Sequence, residues 1–274
     1  MARKKRVLFV CQEIMPFLEE TEIAKIGRYL PQGIQERKKE IRTFMPRFGY
    51  INERRCQLHE VSRLSGLNLI IDGTDHPLII KVASIQQARM QVYFIDNDDY
   101  FRRKAILFDE AGQLFEDNNE RLVFFNRGVL EIVKKLGWAP NIIHCHGWFS
   151  ALLPLYAKTA YHSNPLFSDA KVVFTVYNDR FKGKIREMER YMTFSGVEKR
   201  EIRVYRKGTW KDLMFGAITY ADAFIQGSPT IDPEVSAVLK ATKKPFLPYQ
   251  STETNAYMDA YNAFYDSLLP QEEE

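Results

Sequence analysis

Hydrophobic and polar positions follow two alternating regimes along this 274-residue chain. Short unbroken apolar runs, bounded by prolines or polar tips, mark strands covered on both faces, as in a parallel sheet. Such runs are residues 7–11, 41–45 (closed by Pro46), 142–143 leading into His144-Cys145-His146, 171–176 and 223–226. Between them, apolar residues recur at helical spacing. Ile23, Ile26, Leu30 and Ile34 predict a helix kinked at Pro31. Leu122, Phe125, Val129, Ile132, Val133 and Leu136 predict another over 121–136, stopped by Gly137. Further helices are predicted from 148 to 156, over 210–221, from Asp232-Pro233-Glu234 onward, and over 252–269 with Tyr257, Tyr261, Phe264, Tyr265 and Leu268 on the apolar side. This βαβ rhythm predicts an α/β fold with a Rossmann-like, doubly wound, mainly parallel sheet. The first turn carries no G-x-G-x-x-G, so no dinucleotide fingerprint is present.

The rhythm breaks between 50 and 120. Strands are predicted at 67–72, 78–83 and 91–95, joined by Asp-Gly and His-Pro turns. They form a small antiparallel insertion, about 50–90, that rejoins the sheet at Val92-Tyr93-Phe94-Ile95. Asp96-Asn97-Asp98-Asp99 lacks the spaced ligands of a calcium loop and reads as a solvated strand end. Residues 180–210 are mixed and basic, expected as surface helices and a loop with no assigned chemistry. Residues 243–249 read as a proline-stiffened crossover, and 271–274 as a frayed acidic tail.

Composition narrows the class. Hydrophobic residues are 45% and charged residues 27%, enough for a sizeable core and unlike a disordered chain. Net charge is only +4, with Lys and Arg interspersed among acids, so no nucleic-acid stripe is expected. Cys11, Cys56 and Cys145 are odd in number and lack metal-type spacing, which suits free thiols in a reducing compartment. Arg3-Lys4-Lys5-Arg6 and the following apolar run imitate a signal peptide, but the run stops at Gln12-Glu13. No run reaches membrane-spanning length. A cytoplasmic protein without metal or cofactor is expected.

Candidate chemistry concentrates where the strand beginning at Ile142 ends. In an open parallel sheet, ligands bind beyond the carboxyl ends of strands. His146 at that tip is the leading candidate for a ligand contact, with Gly147 permitting a sharp turn into Trp148. On chemistry alone, the histidine pair reads as packing with a satisfied hydrogen bond.

Several segments together resemble bacterial glycogen synthase and plant starch synthase, the glycosyltransferase family 5 enzymes. They are Val7-Leu8-Phe9-Val10 with Glu13 and Pro16-Phe17; Leu30-Pro31; Met45-Pro46-Arg47-Phe48-Gly49; Val92-Tyr93-Phe94-Ile95-Asp96 with Tyr100-Phe101-Arg102; and Asp117-Asn118 with Arg121. Ile142-Ile143-His144-Cys145-His146 with Trp148, Phe174-Thr175-Val176 with Asn178, Tyr220-Ala221-Asp222, and Ser228-Pro229-Thr230 with Glu234 continue the series. The resemblance runs from residue 6 to about 235. It implies the N-terminal half of a GT-B fold, in one domain over 1–274 whose core is 6–235, with the crossover and last helix at 243–269. It also implies an activity: transfer of glucose from ADP-glucose or UDP-glucose to an α-1,4-glucan. By resemblance, His146, Trp148, Tyr177 and Asn178 are candidate substrate contacts.

The chain departs from the family at the chemistry. The family's Lys-Thr-Gly-Gly-Leu, a phosphate cradle, is replaced by Glu19-Glu20-Thr21-Glu22-Ile23. His-Asp-Trp has become His146-Gly147-Trp148, and Thr-Ile-His-Asn has become Thr175-Val176-Tyr177-Asn178. The family's donor-binding half is expected to be missing, and the last helix is expected to fill the groove that half would meet. These departures leave no confident catalytic residue. They lead to the expectation of a glycogen/starch-synthase-like binding or regulatory module without independent turnover, its partner an α-glucan. Two alternatives stand beside it: a subunit completed in trans by a nucleotide-sugar-binding partner, and a cleft re-used for an unrelated small ligand.

Overall fold

The computed structural model describes residues 4–194 and 197–270; the acidic tail at 271–274 lies outside the described residues. The first strand, β1 (Arg6–Cys11), has its last five residues buried and sits between two parallel neighbours. β2 (Glu40–Pro46) pairs on one side, and β7 (Ile142–His146) on the other. Between β2 and β7 the chain forms β3 (His59–Glu60), β4 (Leu67–Ile71), β5 (Thr74–Ile85) and β6 (Met90–Asp96). Beyond β7 follow β8 (Lys171–Val176), β9 (Ala223–Gln226) and β10 (Phe246–Leu247). The sheet order is β10-β9-β8-β7-β1-β2-β6-β5-β3, with β4 paired to β5 off that path. Every pair from β10 to β6 is parallel, while β5 pairs antiparallel with β3, β4 and β6. The mainly parallel sheet with its antiparallel insertion is thus present, and β6 rejoins β2 in parallel as the apolar run at Val92–Ile95 implies.

The first crossover helix, Glu22–Glu36, starts where Thr21 accepts the Ala24 N–H at 3.0 Å, a side-chain N-cap. It runs through Pro31 to Glu36 as one element. The Asn118–Lys135 helix buries the predicted apolar stripe, and Gly137 follows it at φ 59, the left-handed position that glycine adopts without strain. Phe149 and the helices Leu153–Lys158 and Trp210–Tyr220 continue that face. The opposite face carries Glu22–Glu36 and the last helix, Ala256–Leu268, which touch each other. That approach needs Gly33: a Cβ there would run into Met258 Sδ.

Three expectations change. The crossover at 243–249 holds a short strand, β10, which adds to the sheet edge beside β9. The Trp148 segment opens as a 3-10 turn (Trp148–Ser150) before the helix proper. Asp96 is not solvated: it is fully buried and held by Arg47 and Lys81, each at 2.9 Å. A buried carboxylate survives only with such partners. Among the described residues there is no cluster of three or more His, Cys, Asp or Glu positioned for a metal, and no helix long and apolar enough to cross a membrane.

Candidate functional site

A cleft of ≈ 410 Å³ opens at the carboxyl ends of β1, β7 and β8. β1 delivers Gln12 and Glu13, the turn after β7 delivers Trp148, and the turn after β8 delivers Tyr177, Asn178, Asp179 and Arg180. The start of the first helix adds Thr21, Glu22 and Ile23, and the loop before Asn118 adds Ile106, Leu107 and Phe108. This is where an open parallel sheet places ligands.

The floor is held by short polar contacts. Gln12, itself buried, accepts the Phe149 N–H at 3.0 Å and donates to Glu13 at 2.9 Å. The Thr21 hydroxyl donates to Glu13 at 2.6 Å while capping its helix. Ser228 donates to Glu22 and accepts the Asn178 N–H at 3.0 Å, tying the lip to the β9 end. Asp179 accepts the Trp148 N–H and the Trp210 indole N–H, each at 3.0 Å. Burial, with the Glu13 charge adding, pushes the Asp179 carboxyl up to about 6 despite those two donors. The cleft thus collects three carboxylates: Glu13, Glu22 and Asp179. Arg180 is the single cation among its lining residues, and it pairs with Asp232 at 2.9 Å.

The four residues of the altered phosphate loop separate. Thr21 and Glu22 line the cleft. Glu19 accepts the Tyr50 hydroxyl at 2.7 Å and Glu20 pairs with Lys25; both are exposed outside it. The four candidate contacts separate too. Trp148, Tyr177 and Asn178 line the cleft, with Asn178 exposed. His146 does not; it is fully buried.

His146 belongs to a sealed polar chain. Because side chains two apart on a strand share a face, His144 and His146 lie with ring centroids 3.8 Å apart and their planes tilted by 47°, and Cys145 turns away. His146 Nδ1 meets the Tyr177 hydroxyl at 2.8 Å and its Nε2 meets His144 Nδ1 at 3.1 Å. His144 is bounded by Tyr265 of the last helix and by Thr175, each at 2.6 Å. Phe9 stacks over His146 at 6.2 Å. Burial drives the His146 imidazole down to about 3 and the His144 imidazole well below its ordinary range, with the His146 charge adding to the latter. Both rings are neutral hydrogen-bond relays at neutral pH. Tyr177 separates them from the cleft, and the last helix closes the other side.

Asp179, Gln12, Phe108 and Arg180 also line the cleft, beyond the candidates expected from the sequence. Asp179 had a usable signal, since it lies three residues past the end of β8 at Val176. Phe108 had none, because a loop residue's reach into a cleft is set by tertiary packing.

A family profile described as starch synthase catalytic domain matches residues 6–240. A glycogen synthase of Chlorobium limicola is 37% identical over 226 residues, 81% of this chain and 45% of that protein. One of Chlorobaculum parvum is 33% identical over 263 residues, 90% of this chain and 52% of that protein. This chain spans about half the length of these curated relatives. The catalytic domain of starch synthase IV from Arabidopsis thaliana, solved with ADP and acarbose, superposes with a TM-score of 0.73 at 18% identity. The match covers 91% of this chain and 52% of that one, and establishes likeness of fold.

Proposed function

The chain belongs to the starch synthase catalytic domain family, and from that membership we propose that it serves glucan metabolism as a binding or regulatory module without glucosyl transfer of its own. The observation that carries this reading is the charge of the cleft. A retaining transfer from a nucleotide sugar needs positive groups and close backbone donors where the diphosphate leaves. Here Glu22 and Asp179 line that end of the sheet beside Glu13, which the resembling enzymes share, and Arg180 is engaged by Asp232. Each carboxylate facing a phosphate at about 4 Å costs about 1 kcal/mol in water and about 4 kcal/mol at the effective dielectric of a protein surface. The histidine that resembles the family's sugar contact is sealed behind Tyr177, which supports the same reading. An α-glucan is the proposed partner.

The test is an incorporation assay with the purified chain, radiolabelled ADP-glucose and glycogen primer, run beside co-sedimentation with glycogen. The expected result is co-sedimentation without incorporation. Sustained incorporation would overturn the proposal.

A further inference from the structure

At the end of the sheet opposite the cleft lies a second cavity, of ≈ 380 Å³. Arg42 of β2, Arg89 of the β5–β6 turn and Gln35 near the end of the first helix meet there, with Ser84, Gln86 and Gln91. We propose that this cavity is a binding site for a small phosphorylated sugar, its phosphate held by Arg42 and Arg89 and its hydroxyls by the surrounding amides.

The charge is one-sided. No carboxylate is among the lining residues. Glu40, two residues before Arg42, lies outside the lining and feels the Arg42 charge, but its oxygens are taken by the Arg6 guanidinium at 3.0 Å and the Trp138 indole N–H at 2.5 Å. Arg89 forms no ion pair among the described residues. Arg42 is fixed before any ligand arrives. Its guanidinium carbon lies 5.3 Å from the Trp138 ring centroid and 5.5 Å from that of Tyr93, whose hydroxyl accepts from it at 2.5 Å. The buried Arg42 Nε has no protein acceptor among the described residues. A guanidinium pre-set between aromatic rings loses little freedom on gripping a phosphate.

Arg89 sits at φ 49, a left-handed conformation that a long side chain seldom adopts, and its carbonyl accepts from Gln35 at 3.5 Å. This conformation closes the 3-10 turn Gln86–Ala88 and sets where the Arg89 side chain leaves the backbone. The remaining lining argues for an ester over bare phosphate. Three glutamine amides and a serine supply donors and acceptors for hydroxyl groups, and Ile41, Ile85 and Met90 supply an apolar wall for a pyranose C–H face. The volume falls within the range of small-molecule sites.

The experiment is calorimetric titration of the full chain with glucose 6-phosphate, inorganic phosphate and glucose, repeated on Arg89→Gln, with thermal unfolding as the folding control. The proposal expects saturable binding of glucose 6-phosphate, at least about tenfold tighter than inorganic phosphate, and none for glucose. Arg89→Gln should weaken the ester at least about tenfold, as loss of a charged hydrogen bond does. Should Arg89→Gln fold poorly, Gln86→Ala on the exposed rim should weaken the ester while leaving phosphate unchanged. Absence of saturable ester binding, equal affinity for ester and phosphate, or an Arg89→Gln protein that binds like the parent would each overturn the proposal.

Discussion

Acidification should weaken this fold through its sealed histidines, and the size of the effect follows from their burial. His146 titrates at about 3 in the folded chain, against about 6.5 for an unfolded imidazole. Its contribution is therefore fully present above the unfolded value and is lost as the pH falls toward the folded one. Below about pH 6.5 the unfolded chain takes up a proton that the folded chain refuses, at about 1.4 kcal/mol per pH unit. Between about pH 7 and about pH 5, His146 alone removes about 2 kcal/mol, and His144 acts in the same direction. Asp179 opposes them. Its folded value of about 6 lies above the ordinary 3.8, so the folded chain binds that proton first and gains stability as the pH falls. The gain over the same interval is about 1.4 kcal/mol. Replacing Asp179 with Asn removes this opposing titration; the lost acceptor oxygen costs about the same at every pH. The assay is urea unfolding followed by tryptophan fluorescence at stepped pH. Asp179→Asn should lose at least about 2 kcal/mol between about pH 7 and about pH 5, a steeper fall than the parent shows. An Asp179→Asn protein equally stable at both values would refute the burial of the histidine pair.

Three further outcomes follow from individual contacts. Tyr265→Phe removes the hydroxyl that meets His144 at 2.6 Å; the buried partner left behind should cost about 1–3 kcal/mol, seen in calorimetry as about 2–4 °C of melting temperature per kcal/mol. Gly147→Asp, which restores the acid of the family's His-Asp-Trp, should destabilise by about 1–3 kcal/mol and confer no transfer activity. Gly147 sits at φ 83 and ψ 157, and a Cβ there would lie 2.9 Å from that of Gln12. Glu13→Gln should lower the Asp179 carboxyl from about 6, because the Glu13 charge helps to raise it; carbon-detected NMR titration reads this directly.

The parallel core was legible because its strands are buried on both faces and so appear as unbroken apolar runs, as at Val7–Cys11 and Lys171–Val176. The two-residue strands β3 and β10 were not, because two residues carry no period and their pairing depends on the neighbouring edge. Pro31 lies inside a helix that runs on to Glu36, with Leu30 and Ile34 fully buried on either side. Asp96 looked solvated beside three polar neighbours, because its partners Arg47 and Lys81 are distant in sequence. The cleft's location followed from topology alone. Which of its candidates face solvent did not: His146 and Tyr177 are both strand-end residues, and only the docking of Tyr177 over His146 separates them.

A cleft lined by Glu22 and Asp179 should exclude a nucleotide diphosphate. Calorimetric titration of the chain with ADP-glucose is compared with that of the double variant Glu22→Gln/Asp179→Asn. The parent should show no saturable binding up to about 1 mM, with measurable affinity once the two charges are removed. Sub-millimolar binding by the parent, unchanged or weakened in the double variant, would contradict it.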